Sequence, residues 1–190
     1  LSRGTGKNCP TIVGERRQGG ILMGSPLSFV TAISQRVDIA YDAKLSVADR
    51  TLASDKVARA ADLINQKISS FTAEEKNAIL QIAKFTVSGS DAALGATGRH
   101  EMTLSIGYIK SSSSDWIGSL FGHEGQHCLN FGKYAGDERW KDEQSASRTQ
   151  LAIGRKIGFS QNDISYLEKW ADDGNRDAMQ RHMSQKFLWP

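Results

Sequence analysis

Along this chain, apolar positions recur at helical spacing through most of the second half and part of the first. After Ser54, which can serve as an N-cap, Val57, Ala61, Ile64 and Ile68 fall on one helical face. Thr72-Ala73-Glu74-Glu75 has the form of a capping box before Ala78, Ile79, Ile82 and Ala83, so a second helix is expected to follow directly. Ser88 to Asp91 and Gly95 to Gly98 read as loop. Met102 to Ile109 alternates and is rich in β-formers, which predicts a strand. A polar turn, Ser111 to Ser114, leads into a helix capped by Ser114 or Asp115. That helix carries Trp116, Ile117, Leu120, Phe121 and Leu129 and ends near Gly132. Another helix is expected from about Asp137 to Ile157, with Gly158 at its C-terminal stop. Ser160 to Asp163 caps a further one holding Ile164, Leu167 and Trp170, and the tail after Gly174 offers Met179, His182, Met183 and Phe187 as inward positions.

Before these helices the pattern weakens. Residues 1–27 hold six glycines and two prolines, which marks a loop-rich lead-in or former linker. Pro26 to Leu45 mixes short apolar runs and fits helix or strand equally. The expected architecture is therefore α+β and mainly helical, with a domain over residues 28–190 and a small sheet before the Trp116–Leu129 helix. No internal repeat or long low-complexity tract occurs.

Composition narrows the function classes. The chain has 190 residues, 39% of them hydrophobic and 24% charged, enough for one soluble-type core. The net charge is +3 with signs interspersed and no run of five like charges, so no nucleic-acid partner is expected. No apolar run approaches the roughly 20 residues that cross a bilayer, so no membrane span is expected either. The chain starts at Leu1, with no charged-then-apolar leader, as expected of a processed product or a domain cut from a longer protein. Cys9 and Cys128 are too few for a disulfide framework: they form one bridge or two thiols, and a thiol inside an apolar helix suits Cys128.

The chemistry is concentrated in His123-Glu124-Gly125-Gln126-His127. Histidines four apart on a helix project from one face, about a turn apart, so both imidazoles can reach one zinc ion at roughly 2.0–2.1 Å. Glu124 points to one side of that pair, where a carboxylate can take a proton from water and pass it to a leaving amine. A catalytic zinc needs a third protein ligand and an open position. Glu143 is the leading choice, because the turn after His127 and entry into the next helix would bring it back. Glu143, Ala146, Gln150, Ile153 and Ile157 share a face, and small Ala146 leaves room for the carboxylate. Asp142 and Glu138 are the alternatives, ahead of His100 and His182.

These residues resemble the gluzincin branch of the zincin metallopeptidases. The resemblance rests on the His-Glu-x-x-His helix at 123–127 and on Glu143-Gln144-Ser145-Ala146, similar to that branch's Glu-x-x-Ala signature. The metzincin extension is not met, since Asn130 and Lys133 stand where Gly and His would be expected. The motif resemblance spans about Met102 to Gly158. It implies one zinc ion, a protein or peptide substrate, and a strand along the cleft whose edge pairs with extended substrate, for which Thr103 to Ile109 is the candidate. It also implies a Tyr or His near the oxyanion, with Tyr134, Tyr166 and His182 available. By size and architecture the chain further resembles toxin modules of bacterial polymorphic secreted proteins. That implies secretion or delivery on a carrier, and a cognate immunity protein. Two other readings stay open: a zinc amidase acting on a non-protein amide such as cell-wall material, and a non-catalytic metal-binding interaction module. Glu124 argues against the last, because a structural site does not need a base beside its ligands. Gly125 and Gln126 take no role at this level.

Overall fold

The computed structural model describes residues 21–23, 27–29, 35–90, 94–98, 100–172, 177, 178 and 180. The fold is α+β and mainly helical. Its strands are β1 (Ile21–Met23), β2 (Leu27–Phe29), β3 (Gln35–Asp42), β4 (Lys84–Ser88), β5 (Leu94–Gly98) and β6 (Glu101–Ser105). Its helices are α1 (Val47–Lys67), α2 (Ala73–Ile79), α3 (Ile106–Ser111), α4 (Ser114–Asn130), α5 (Arg139–Ile157) and α6 (Gln161–Ala171).

The sheet runs β1-β3-β4-β6-β5, with β2 also pairing with the first part of β3. Its centre, β3-β4-β6, is parallel, and β1, β2 and β5 join antiparallel. Parallel neighbours need crossovers, which α1 and α2 supply between β3 and β4. The two parallel ladders bury Val37, Ile39, Phe85, Val87, Met102 and Leu104. The ambiguous stretch before Leu45 thus resolves largely as β3. Ile21–Met23, inside the expected lead-in, already belongs to the sheet.

The strand expected over Met102 to Ile109 is half right. It ends at Ser105, whose hydroxyl accepts from the Tyr108 amide at 3.1 Å and starts α3. The apolar pair Ile106 and Ile109, both buried, sits at helical rather than strand spacing. Nor does β6 offer an edge, because β4 and β5 flank it. The edge strand preceding α4 is β5, built from Leu94–Gly98, a glycine-containing run that reads as loop from sequence.

Two helix starts differ from expectation. Ser46, not Ser54, caps α1, accepting from the Asp49 amide at 3.0 Å, and the first turns escape a hydrophobic count because Val47 is exposed. Ser113, rather than Ser114 or Asp115, caps α4. The Thr72/Glu75 capping box is present, although α2 ends at Ile79 and the chain from Lys84 forms β4. Gly158 ends α5 with φ +115°, a conformation that glycine adopts without a Cβ penalty. The tail positions Met179, His182, Met183 and Phe187 lie outside the described residues, as does Cys9, and Cys128 is half-buried.

Helix α4 is the axis of the helical layer. Phe121, fully buried, stacks on Phe85 of β4 at 5.8 Å, seating α4 on the sheet. Burying a phenylalanine in this way contributes roughly 1.5–3 kcal/mol. At two other close approaches α4 presents glycine. A Cβ on Gly125 would lie 1.8 Å from the Ala78 carbonyl oxygen of α2, and one on Gly122 would lie 2.1 Å from Ile153 Cδ1 of α5. The glycine inside the His-Glu-x-x-His segment therefore has a packing role: it lets α2 abut α4 directly.

Candidate metal centre

Helices α4 and α5 are joined by a short connection that includes a 3-10 turn at Gly136–Glu138, and they run antiparallel. Contacts fix the alignment: Asp142 meets His127, Thr149 meets Gln126, and Gln150 donates to the Ser119 hydroxyl at 3.1 Å. This register carries the first turn of α5 back beside the last turns of α4.

It brings Glu143 to the two histidines. His123 Nε2 and His127 Nε2 are 3.1 Å apart. Glu143 Oε2 lies 3.8 Å from the former nitrogen and Oε1 3.8 Å from the latter. Two ligands at zinc bond lengths in tetrahedral geometry are separated by about 3.4 Å. The histidine edge is shorter and the two carboxylate edges, which run to different oxygens of Glu143, are longer; the three side chains match zinc in ligand type and number and could hold one metal ion. Among the described residues this is the group of His, Cys, Asp and Glu side chains that could hold a metal ion. All three side chains are half-buried, keeping 13% of their surface in solvent for His123, 19% for His127 and 18% for Glu143.

Glu124 is buried at 6% exposure, and its charge is felt at His127. It is separate from the three converging donors. The sequence expectation of three ligands beside one further carboxylate requires both features.

Asp142, an alternative ligand from sequence, has a different place. Its Oδ2 accepts from His127 Nδ1 at 2.9 Å, which leaves Nε2 directed toward His123 and Glu143. A carboxylate on the far nitrogen fixes the tautomer and ring orientation of a ligating histidine. Burial on its own lowers the His127 pKa. The Asp142 hydrogen bond and the charges of Glu143, Asp142 and Glu124 outweigh that effect and raise it to about 9. Four interactions thus favour the protonated imidazole at this point.

The remaining candidates fall elsewhere. Glu138 is exposed and pairs with Lys141. His100 sits at the β5–β6 turn with φ +68°, its Nδ1 donating to the Gln81 carbonyl at 2.7 Å. Tyr134 is half-buried in the α4–α5 connection. Tyr166, 48% exposed, packs with Trp116 at 5.9 Å and Trp170 at 6.2 Å, as part of an aromatic cluster. His182 lies outside the described residues.

Sequence reasoning missed Tyr108. Its hydroxyl accepts from Trp116 Nε1 at 2.6 Å, and burial pushes its pKa up, with Tyr166 and Glu124 adding to the rise against hydrogen bonds from Trp116 and Ser112. Assigning this residue to a strand hid it; the spacing of Ile106 and Ile109 was the available signal for a helix. Gln126, Asn130 and Thr149 were missed too. They line the far side of Asp142 and have no motif of their own.

Compared with known proteins, the chain matches no family model, no curated protein and no solved structure.

Proposed function

We propose that this protein is a zinc-dependent hydrolase that cleaves peptide bonds, with His123, His127 and Glu143 as metal ligands and Glu124 as the proton-transferring carboxylate. The observation that carries the reading is the convergence of Nε2, Nε2 and a carboxylate from two helices, with Glu124 buried next to them but outside the ligand group. A bound zinc ion supplies Lewis acidity, which polarises a carbonyl and acidifies water.

The chain's own residues do the rest. Asp142 holds the His127 ring so that Nε2 faces inward. Glu143 brings negative charge between the two imidazoles. Glu124 accepts a proton from the attacking water as the new C–O bond forms, then delivers it to the departing nitrogen as the C–N bond breaks. Among the described residues no helix is long and apolar enough to cross a membrane.

The test is paired zinc content and casein or gelatin turnover, with and without chelator, for the intact protein and Glu124→Gln. Turnover that is lost on chelation and absent in a zinc-loaded Glu124→Gln protein supports the reading. Chelator-resistant turnover overturns it. A toxin-module role, proposed from the resemblance alone, requires that expression in bacteria arrest growth for the intact chain and not for Glu124→Gln.

A further inference from the structure

We infer that Thr149, Gln126 and Asn130 form a polarised hydrogen-bond chain that positions Asp142, and through it the His127 imidazole; the inference rests on the metal-centre reading above. The chain is continuous. Asn130 Nδ2 donates to Asp142 Oδ1 at 2.8 Å, Gln126 Nε2 donates to Asn130 Oδ1 at 3.0 Å, and Thr149 Oγ donates to Gln126 Oε1 at 3.2 Å. With the bond from His127 Nδ1 to Asp142 Oδ2 at 2.9 Å, five side chains on α4 and α5 are linked in one line.

Its direction is set at one end. An ionised carboxylate only accepts, so Asn130 must present its NH2 to Asp142 and its oxygen the other way. Gln126 must then present its own NH2 to that oxygen, which leaves Gln126 Oε1 to accept from a hydroxyl. A hydroxyl stands there. The charge on Asp142 therefore selects the orientation of two amides in turn, and those amides hold its carboxylate in one rotamer. Asn130 is buried at 4% exposure, where an amide without partners would be costly, so its bonds to Gln126 and Asp142 are kept. The far end is looser, because the Thr149 hydroxyl proton is shared with the Ser145 carbonyl at 3.1 Å.

These are positioning residues: none belongs to the ligand group. Gln126, between the two ligating histidines in sequence, thereby takes a role, since on the helix it points to the side where α5 closes the ring of contacts.

The experiment is a double-mutant cycle read as zinc affinity by chelator competition, with the melting temperature of the metal-free protein as a fold control. Removing an outer partner of a metal ligand typically weakens binding about 10–100-fold. Asp142→Ala is expected to fall in that range; Asn130→Leu, which acts through Asp142, should weaken binding by less than Asp142→Ala does, Gln126→Met by less again, and Thr149→Val least. In an Asp142→Ala background, Asn130→Leu and Gln126→Met should each add less than about two-fold, because the residue they act through is gone. The cobalt-substituted protein should show an altered visible spectrum in Asn130→Leu. Unchanged zinc affinity in Asn130→Leu, or full multiplicative loss on top of Asp142→Ala, overturns the inference and leaves the ligand set standing. Should Asn130→Leu fail to fold, Gln126→Met at its half-buried site completes the same cycle. An intact protein that binds no zinc overturns the metal centre and this inference together.

Discussion

The Asp142 carboxylate accepts from His127 Nδ1 at 2.9 Å, while its sequence neighbour Glu143 stands 3.8 Å from His127 Nε2. Two consecutive acids on α5 thus approach opposite nitrogens of one imidazole. They differ in what their removal should do.

Glu143→Ala deletes a proposed ligand, so zinc is expected to be weakly held and labile, whereas His123→Ala combined with His127→Ala should abolish stoichiometric binding. Asp142→Ala leaves all three donors in place and should weaken zinc only about 10–100-fold. Chelator competition on the purified variants gives this order directly. Stoichiometric zinc in the double histidine variant would sink the whole assignment. Tighter binding in Glu143→Ala than in Asp142→Ala would exchange the roles of the two acids.

The histidine pair and Glu124 were legible in the chain because helical spacing alone puts 123 and 127 on one face. The placement of Glu143 beside the two histidines was legible from chemistry: a zinc site would need a third ligand, and the face shared with Ala146 pointed inward. Asp142 was not, because choosing between adjacent helical residues requires the rotation of α5 about its axis. That rotation is set by contacts such as Ile153 against Gly122. The same packing decides which side of α4 Gln126 meets. Strand β5 was missed because the glycines at 95 and 98 are punctuation by local rules, and only pairing with β6 makes the run extended.

Gly125 gives a stability test independent of any metal. A methyl group there would meet the Ala78 backbone carbonyl at 1.8 Å, and a carbonyl cannot rotate away as a side chain can. Gly125→Ala must push α2 off α4 and is expected to cost about 1–3 kcal/mol or more, as other overpacked cores do. Urea unfolding of metal-free protein measures it. A Gly125→Ala protein as stable as the parent would mean that α2 does not sit where Ala78 touches α4.

The zinc-stripped protein should also report on His127 through pH. Its pKa rises from 6.5 to about 9 on folding, so the folded state binds the extra proton more tightly than the unfolded state. Stability from this source is complete below pH 6.5 and is lost as pH climbs through 9, at most on the order of 3 kcal/mol. Metal-free protein is therefore expected to unfold more easily at pH 9.5 than at pH 6.5, and Asp142→Asn should flatten the dependence. A stability that does not fall between those pH values in chelator would contradict the Asp142–His127 pairing.

The sharpest separation is between holding the metal and moving the proton. Glu124→Gln keeps the size and shape of a side chain that is only 6% exposed, and it removes no member of the ligand group. Zinc content should stay near that of the parent and the fold should persist. An amide cannot accept the proton that the attacking water must shed, and proton transfer by a positioned group is worth roughly 10²–10⁴-fold in rate. Turnover should fall by at least about that factor while zinc affinity holds. Both quantities must be read on one preparation, since metal loss alone would also abolish turnover. Undiminished turnover with zinc in place would assign water activation to another group. Loss of zinc along with turnover would make Glu124 a support of the site, because only a carboxylate that props the histidines takes the metal with it when it goes.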